Sequence, residues 1–196
     1  MSLRSQALTI KGEVRITRLP RGVDRLLTPS EHAACVRSRH AEVLVLTTNL
    51  VTDIGLEAFA GLFAGGYGGP LIGSTAYTET TIHDPGVSGS FGHTMKLGAD
   101  PIGSLNAPAP GDTDIEAAAI FQRSVDGVPP MTVTYPSAGR VQFSAVVPQL
   151  DFGGTTFTEE GLFSFDGQLL ARTTFSQPKT ASFALQFDHL LTLGRA

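Results

Sequence analysis

Glu159 and Glu160, with Asp166 close behind, are the strongest acid–base candidates in this 196-residue chain. Glycoside hydrolysis needs two carboxyl groups facing each other across a cleft whose aromatic walls hold the sugar. Successive strand residues point to opposite faces of a sheet, so Glu159 and Glu160 cannot form such a pair. The aromatic content, twelve Phe and three Tyr with no Trp, serves packing more than sugar or base stacking. The histidines, His32, His40, His83, His93 and His189, show neither HxxxH nor HxH spacing, although a folded loop could bring His83, Asp84 and His93 together. Cys35 is the single cysteine, so no internal disulfide and no Cys-rich zinc site can form. Nothing near it in sequence activates a thiolate. Gly86-Val87-Ser88-Gly89 lacks the spacing of a nucleophile elbow, and no phosphate-cradling glycine motif precedes a helix. The expectation is a protein with no catalytic residue, metal or cofactor.

Glu159 also has a structural reading. Gly161 places no side chain beside it, and Phe157, Leu162 and Phe163 predict a buried setting. A carboxylate there must be hydrogen-bonded or paired to survive desolvation. Arg172, Lys179 and Arg140 lie on candidate neighbouring strands, and Glu159, Arg172 and Lys179 are the candidates for an ion pair that fixes strand register. His189 falls on an apolar strand face and reads as a core histidine.

The elements that position these residues follow from pattern. Charged residues make up only 16% of the chain and hydrophobic ones 41%, with 22 Gly and 12 Pro, a profile of strands and turns. Alternation predicts strands at 13–17, 76–83, 93–98, 131–135, 140–147, 156–164, 169–175 and 180–193. The run Val43-Leu44-Val45-Leu46 predicts a strand at 42–47 buried on both faces. Asp166-Gly167 supplies a hairpin turn. Helical spacing behind Thr52-Asp53 predicts a helix over 53–64, and Thr113-x-x-Glu116 reads as a capping box ahead of a second short helix at 117–121. Glycines from Gly65 to Gly111 read as surface loops. The expected fold is mainly β, an antiparallel jelly-roll-like β-sandwich with two short helices. In the last strand Phe183, Leu185, Phe187, His189 and Leu191 share the core face, with Gln186 and Asp188 on the other.

Charge divides the chain. Residues 1–40 hold eight basic and three acidic groups, a net +5 against −9 for residues 41–196. This predicts two parts, an extended basic N-terminal arm over 1–40 and a β-sandwich domain over 41–196. Arg4, Lys11, Arg15, Arg18, Arg21 and Arg25 are the arm's interaction candidates, toward the body or a neighbouring subunit. Nucleic acid is not an expected partner, because the basic residues are spaced singly without interleaved aromatics. No apolar run reaches the length of a signal peptide in the first twenty residues, or of a membrane span anywhere. A chain kept in the cytosol, or released from it by lysis, is expected.

Three stretches in order resemble a family of tailed-bacteriophage virion proteins from tail tips, baseplates, collars and fibre attachments. Asn49-Leu50-Val51-Thr52-Asp53-Ile54-Gly55-Leu56 is similar to the family's N-L-V-T-N-x-G start. Asp112-Thr113-Asp114-Ile115 with Thr158-Glu159-Glu160-Gly161-Leu162-Phe163 resembles its D-T-x-L and x-E-x-G-L-F passages. Residues 170–180 resemble its A-R-x-x-F…K-T passage before a terminal alternating strand. The resemblance implies a structural component of the virion, assembled in the host cytoplasm, that connects a rigid part to fibres or neighbouring subunits. Its implied partners are other virion proteins and further copies of the chain. A capsid or collar decoration protein and a carbohydrate-binding module contacting the host surface are the competing expectations.

Overall fold

The structure, a computed structural model, describes residues 8–53, 55–56, 93–125, 127, 130–137, 139–164 and 167–195. The strand expected at 76–83 and most of the helix expected at 53–64 lie outside the described residues. Asp53, Gly55 and Leu56 are helical, and the Gly55 N–H donates to the Thr52 hydroxyl at 3.1 Å as at a capped helix start.

Nine strands are described, β1 (Leu8–Arg18), β2 (Glu42–Val51), β3 (Thr94–Gly98), β4 (Ala119–Ser124), β5 (Thr132–Thr134), β6 (Arg140–Val147), β7 (Thr156–Phe163), β8 (Leu169–Pro178) and β9 (Leu185–Arg195). One α-helix is described, α1 (Pro29–Arg37). The strands lie in the order β4-β3-β7-β8-β2-β1-β9-β6-β5, and every neighbouring pair is antiparallel. β2 joins the two halves. Glu42 to Asn49 pair with β1, whereas only Leu50 and Val51 pair with Arg172 and Ala171 of β8.

The sheet therefore curls, and its two halves share one core. Ile16, Phe143 and Phe187 come from one half and Leu97, Phe157 and Leu162 from the other. The Phe157 and Phe187 rings meet edge to face at 5.7 Å between centroids, which ties β7 to β9 across the core. The architecture is one continuous curled antiparallel sheet with the core inside the curl.

Register explains both faces of the second half. Val45, Ile16, Phe187 and Ala145 form one inward row, and Thr47, Val14, His189 and Phe143 the next. The outward rows run Arg15, Asp188, Ser144 and Thr17, Gln186, Val146. A bulge leaves Leu44 without a partner, so Val43 faces outward beside Leu46 and both stay exposed. β2 is thus not buried on both faces as its apolar run suggested.

Three further expectations are corrected. From residue 8 onward the N-terminal segment is no extended arm. β1 runs in the middle of the sheet between β2 and β9, and α1 follows it. Its start is locally encoded: Thr28 caps, Pro29 occupies the first turn, and Glu31 closes a capping box. The helix expected at 117–121 is absent, because Ala119–Ser124 is edge strand β4 and Glu116 bonds the backbone N–H and side-chain amide of Asn106 instead. The last strand begins at Leu185, after a turn at 181–182.

Candidate functional site

Among the described residues, the densest polar cluster surrounds Arg172. Glu159 of β7 and Arg172 of β8 lie on the sheet face turned away from the core, covered by the chain between β3 and β4. Gly161 and Gly98 make room for that cover. A Cβ on Gly161 would lie 2.6 Å from Ile115 Cγ2, and one on Gly98 2.3 Å from Ala117 Cβ. Arg172 has no exposed side-chain surface. Its Nε donates to Glu159 Oε1, its Nη1 to Asp112 Oδ2 at 2.6 Å, and its Nη2 to the Asn106 carbonyl at 3.2 Å, with Glu116 Oε2 at 3.5 Å. The other Glu159 oxygen accepts the Ala117 N–H at 2.6 Å.

Burial opposes the charge on Arg172. Hydrogen bonds to Asp112 and Glu159 outweigh it and raise the guanidinium pKa above its ordinary value. Glu116 is held below the usual carboxylate range by its bonds to Asn106. The stretch containing Thr52 closes the same region. The Thr52 N–H donates to the Leu170 carbonyl at 3.0 Å, its hydroxyl reaches the Leu169 carbonyl, and the Asp53 N–H donates to the Pro110 carbonyl at 2.8 Å. Arg172 is fully buried, and its partners come from both β7 and the chain between β3 and β4. It fastens loop to sheet.

Glu160 points the opposite way, into the core, as alternation requires. There His189 of β9 donates from Nδ1 to the carboxylate, at 2.8 and 3.0 Å from its two oxygens, and neither side chain is exposed. On the other side of the ring, Nε2 lies against the side-chain amide of Asn49. Asn49 belongs to β2, one strand beyond β1, and reaches His189 across Gly12. A Cβ at Gly12 would lie 1.4 Å from Asn49 Oδ1. His189 is therefore a core histidine bridging the two halves of the sheet.

A third network lies outside β9 and β6. Asp188 Oδ1 accepts from Ser144 Oγ at 2.6 Å, Gln186 Nε2 at 2.9 Å and Gln142 Nε2 at 3.1 Å, and Gln186 Oε1 accepts the Leu27 N–H at 3.0 Å. Above it, His32 Nε2 of α1 meets Thr17 Oγ1 at 2.9 Å, with Asp188 acting on the ring electrostatically. Hydroxyl, imidazole and carboxylate in that order suggest an activated nucleophile, but Thr17 is fully buried beneath α1 on the outer face of the sheet.

Of the ion-pair candidates, Glu159 and Arg172 meet and Lys179 stands apart. Lys179 Nζ donates to the Gln149 and Thr180 carbonyls, both at 2.7 Å, and burial pushes its pKa down against the pull of Asp151 and Asp24. Among the basic candidates near the N-terminus, Arg18 pairs with Glu42 and Arg25 with Glu31, while Arg15 lies 3.6 Å from Glu13. Lys11 and Arg21 are exposed, and Arg4 lies outside the described residues. His93 stacks near Phe143, His40 bonds Ser38, and no group of three metal-ligating side chains occurs among the described residues. Sequence reasoning missed Asp112, Asn106 and Glu116 around Arg172, Asn49 and Gly12 around His189, and the roles of His32 on α1 and Asp188 beneath it. No family model, curated protein or solved structure matches the chain.

Proposed function

We propose that this chain is a structural subunit of a tailed-bacteriophage particle, connecting a rigid part such as the tail tip, baseplate or collar to fibres or neighbouring subunits. The supporting observation is where the three stretches that resemble phage virion proteins come to lie. Thr52 of the first is bonded to Leu169 and Leu170 at the start of β8, Asp112 and Glu159 of the second both hold Arg172, and Arg172 belongs to the third. The residues carrying the resemblance are neighbours in space around one buried cation. Such an arrangement serves to hold a fold.

In this reading the protein does no chemistry of its own and works by presenting a stiff surface to other virion proteins and to copies of itself. The cations of residues 15–25 that pair within the chain are not the docking elements, so assembly contacts are made by the outer surface of the curled sheet and its loops. Gold-labelled antibody against the purified protein, applied to intact phage particles from the producing host, tests this. Label confined to the tail, baseplate or collar is expected. Label over the capsid would favour decoration, and particles without label would remove the virion reading. Retention of the purified protein on host-surface glycan would favour the carbohydrate-binding alternative.

A further inference from the structure

α1 is fastened to the outer face of the sheet by few contacts. Leu19 and Leu27 pack with Ala184, Cys35 and Val146 in a small apolar cluster separate from the main core. Among the described residues the polar contacts are the Leu27 N–H to Gln186 and His32 to Thr17. Charged groups lie near His32 on α1, β9 and β1. Glu31, its chain neighbour, bonds Arg25 and both the N–H and hydroxyl of Thr28. On β9, Asp188 holds three side-chain donors from β6 and β9. On β1, Arg15 stands directly opposite Asp188 in register.

We propose that α1 is an acid-released clasp: protonation of His32 frees residues 26–37 from the sheet and bares the face formed by Thr17, Gln186, Asp188 and Ser144, while the curled sheet stays folded. A second ring proton puts a cation in a nearly closed site that has Arg15 on one side and an already bonded Asp188 on the other. Burial is the dominant cause that holds the His32 pKa below its ordinary 6.5. Asp188 pulls it up and Arg15 pushes it further down. The folded form thus binds this proton more weakly than the unfolded form. The contact is at full strength above pH 6.5 and weakens as the pH falls from there through the lowered value. The capping box does not fail in the same range, because Arg25 and Thr28 hold the Glu31 carboxyl at about 2.

Hydrogen exchange on the full chain, read by mass spectrometry at about pH 7.5 and about pH 5 with intrinsic rates corrected, tests the clasp. Protection across 29–37 is expected to drop about tenfold or more at the lower pH while β7 and β9 keep theirs. His32→Gln, which can bond Thr17 but cannot titrate, is expected to keep its protection at both pH values. Unchanged protection in the parent protein, or an equal loss in His32→Gln, overturns the proposal. If His32→Gln leaves α1 unprotected throughout, the His32 ring resonance of the parent protein decides. Its titration must coincide with the loss of protection, and a titration at any other pH overturns the clasp.

Discussion

Replacing Glu159 with Gln removes the anion on Arg172 Nε and leaves the guanidinium to Asp112 and Glu116, both of which lie nearer to solvent. Breaking a buried pair from one side costs about 3–5 kcal/mol, because the partner stays charged and desolvated. Urea denaturation of Glu159→Gln is expected to show a loss of that size with no change in the slope. A loss below about 1 kcal/mol would mean that the loop carboxylates alone hold Arg172. Gly12 allows a sharper test. Gly12→Ala must displace Asn49 from His189, and Asn49→Ala removes the same contact directly, so the double variant is expected to be no less stable than the worse single one. Additive losses in that cycle would show that the glycine and the amide act independently. The Glu159–Arg172 pair was legible because a carboxylate among aromatic residues demands a cation from the next strand. Asp112 and Asn49 were not, since their contacts span 60 and 140 residues and leave no local pattern.

At the scale of the element, β9 shows both how far alternation carries and where it stops. Period two placed Leu185, Phe187, His189 and Leu191 on the core side, and all four are buried there. The same rule placed Gln186 and Asp188 toward solvent, yet they are buried too, under α1 and the segment before it. Periodicity reports which residues share a face; it does not report what covers a polar face. Phe187→Ala is expected to cost about 3–5 kcal/mol in the core. Gln186→Ala strands the Leu27 N–H and takes one donor away from Asp188, so it is expected to cost about 1–3 kcal/mol. Thermal unfolding of the two variants checks this, and a Gln186→Ala protein with the parent melting temperature would mean that the α1 side is open to water. The capping-box rule was equally double-edged. Thr28-Pro29-Ser30-Glu31 obeys it and starts a helix, whereas Thr113 to Glu116 has the same letters and does not. There the chain that follows pairs with β3, and Glu116 satisfies Asn106 rather than a helix end.

The whole molecule turns on its first strand. Charge asymmetry made residues 1–40 look like an arm, and an arm of opposite sign to its body was expected to find an acidic surface. It does, within its own chain: Arg15 stands opposite Asp188, and Arg18 pairs with Glu42. The strand expected at 13–17 from Val14 and Ile16 alternating with Glu13 and Arg15 is part of β1, and the same alternation runs back through Gly12 and Lys11 to Ile10, the pattern of a strand with one buried face. β1 pairs with β9 over its full length, Leu8 to Arg195 at one end and Arg18 to Leu185 at the other, and with β2 on its other edge. Removing residues 1–18 would leave both neighbours with an open edge in the middle of the sheet. It would also take Val14 and Ile16 out of the core, each worth about 1.5–3 kcal/mol in burial alone. Added to the lost ladder, this exceeds what a domain holding about 5–15 kcal/mol can lose. The truncated chain 19–196 is therefore expected to be insoluble or unfolded by circular dichroism. Because β1 is held only by non-covalent pairing, refolding the truncated chain with a peptide of residues 1–28 is expected to restore strand signal and a cooperative melt. A truncated chain that is soluble and melts cooperatively without the peptide would show that β1 is an appendage after all, and that β2 and β9 meet without it.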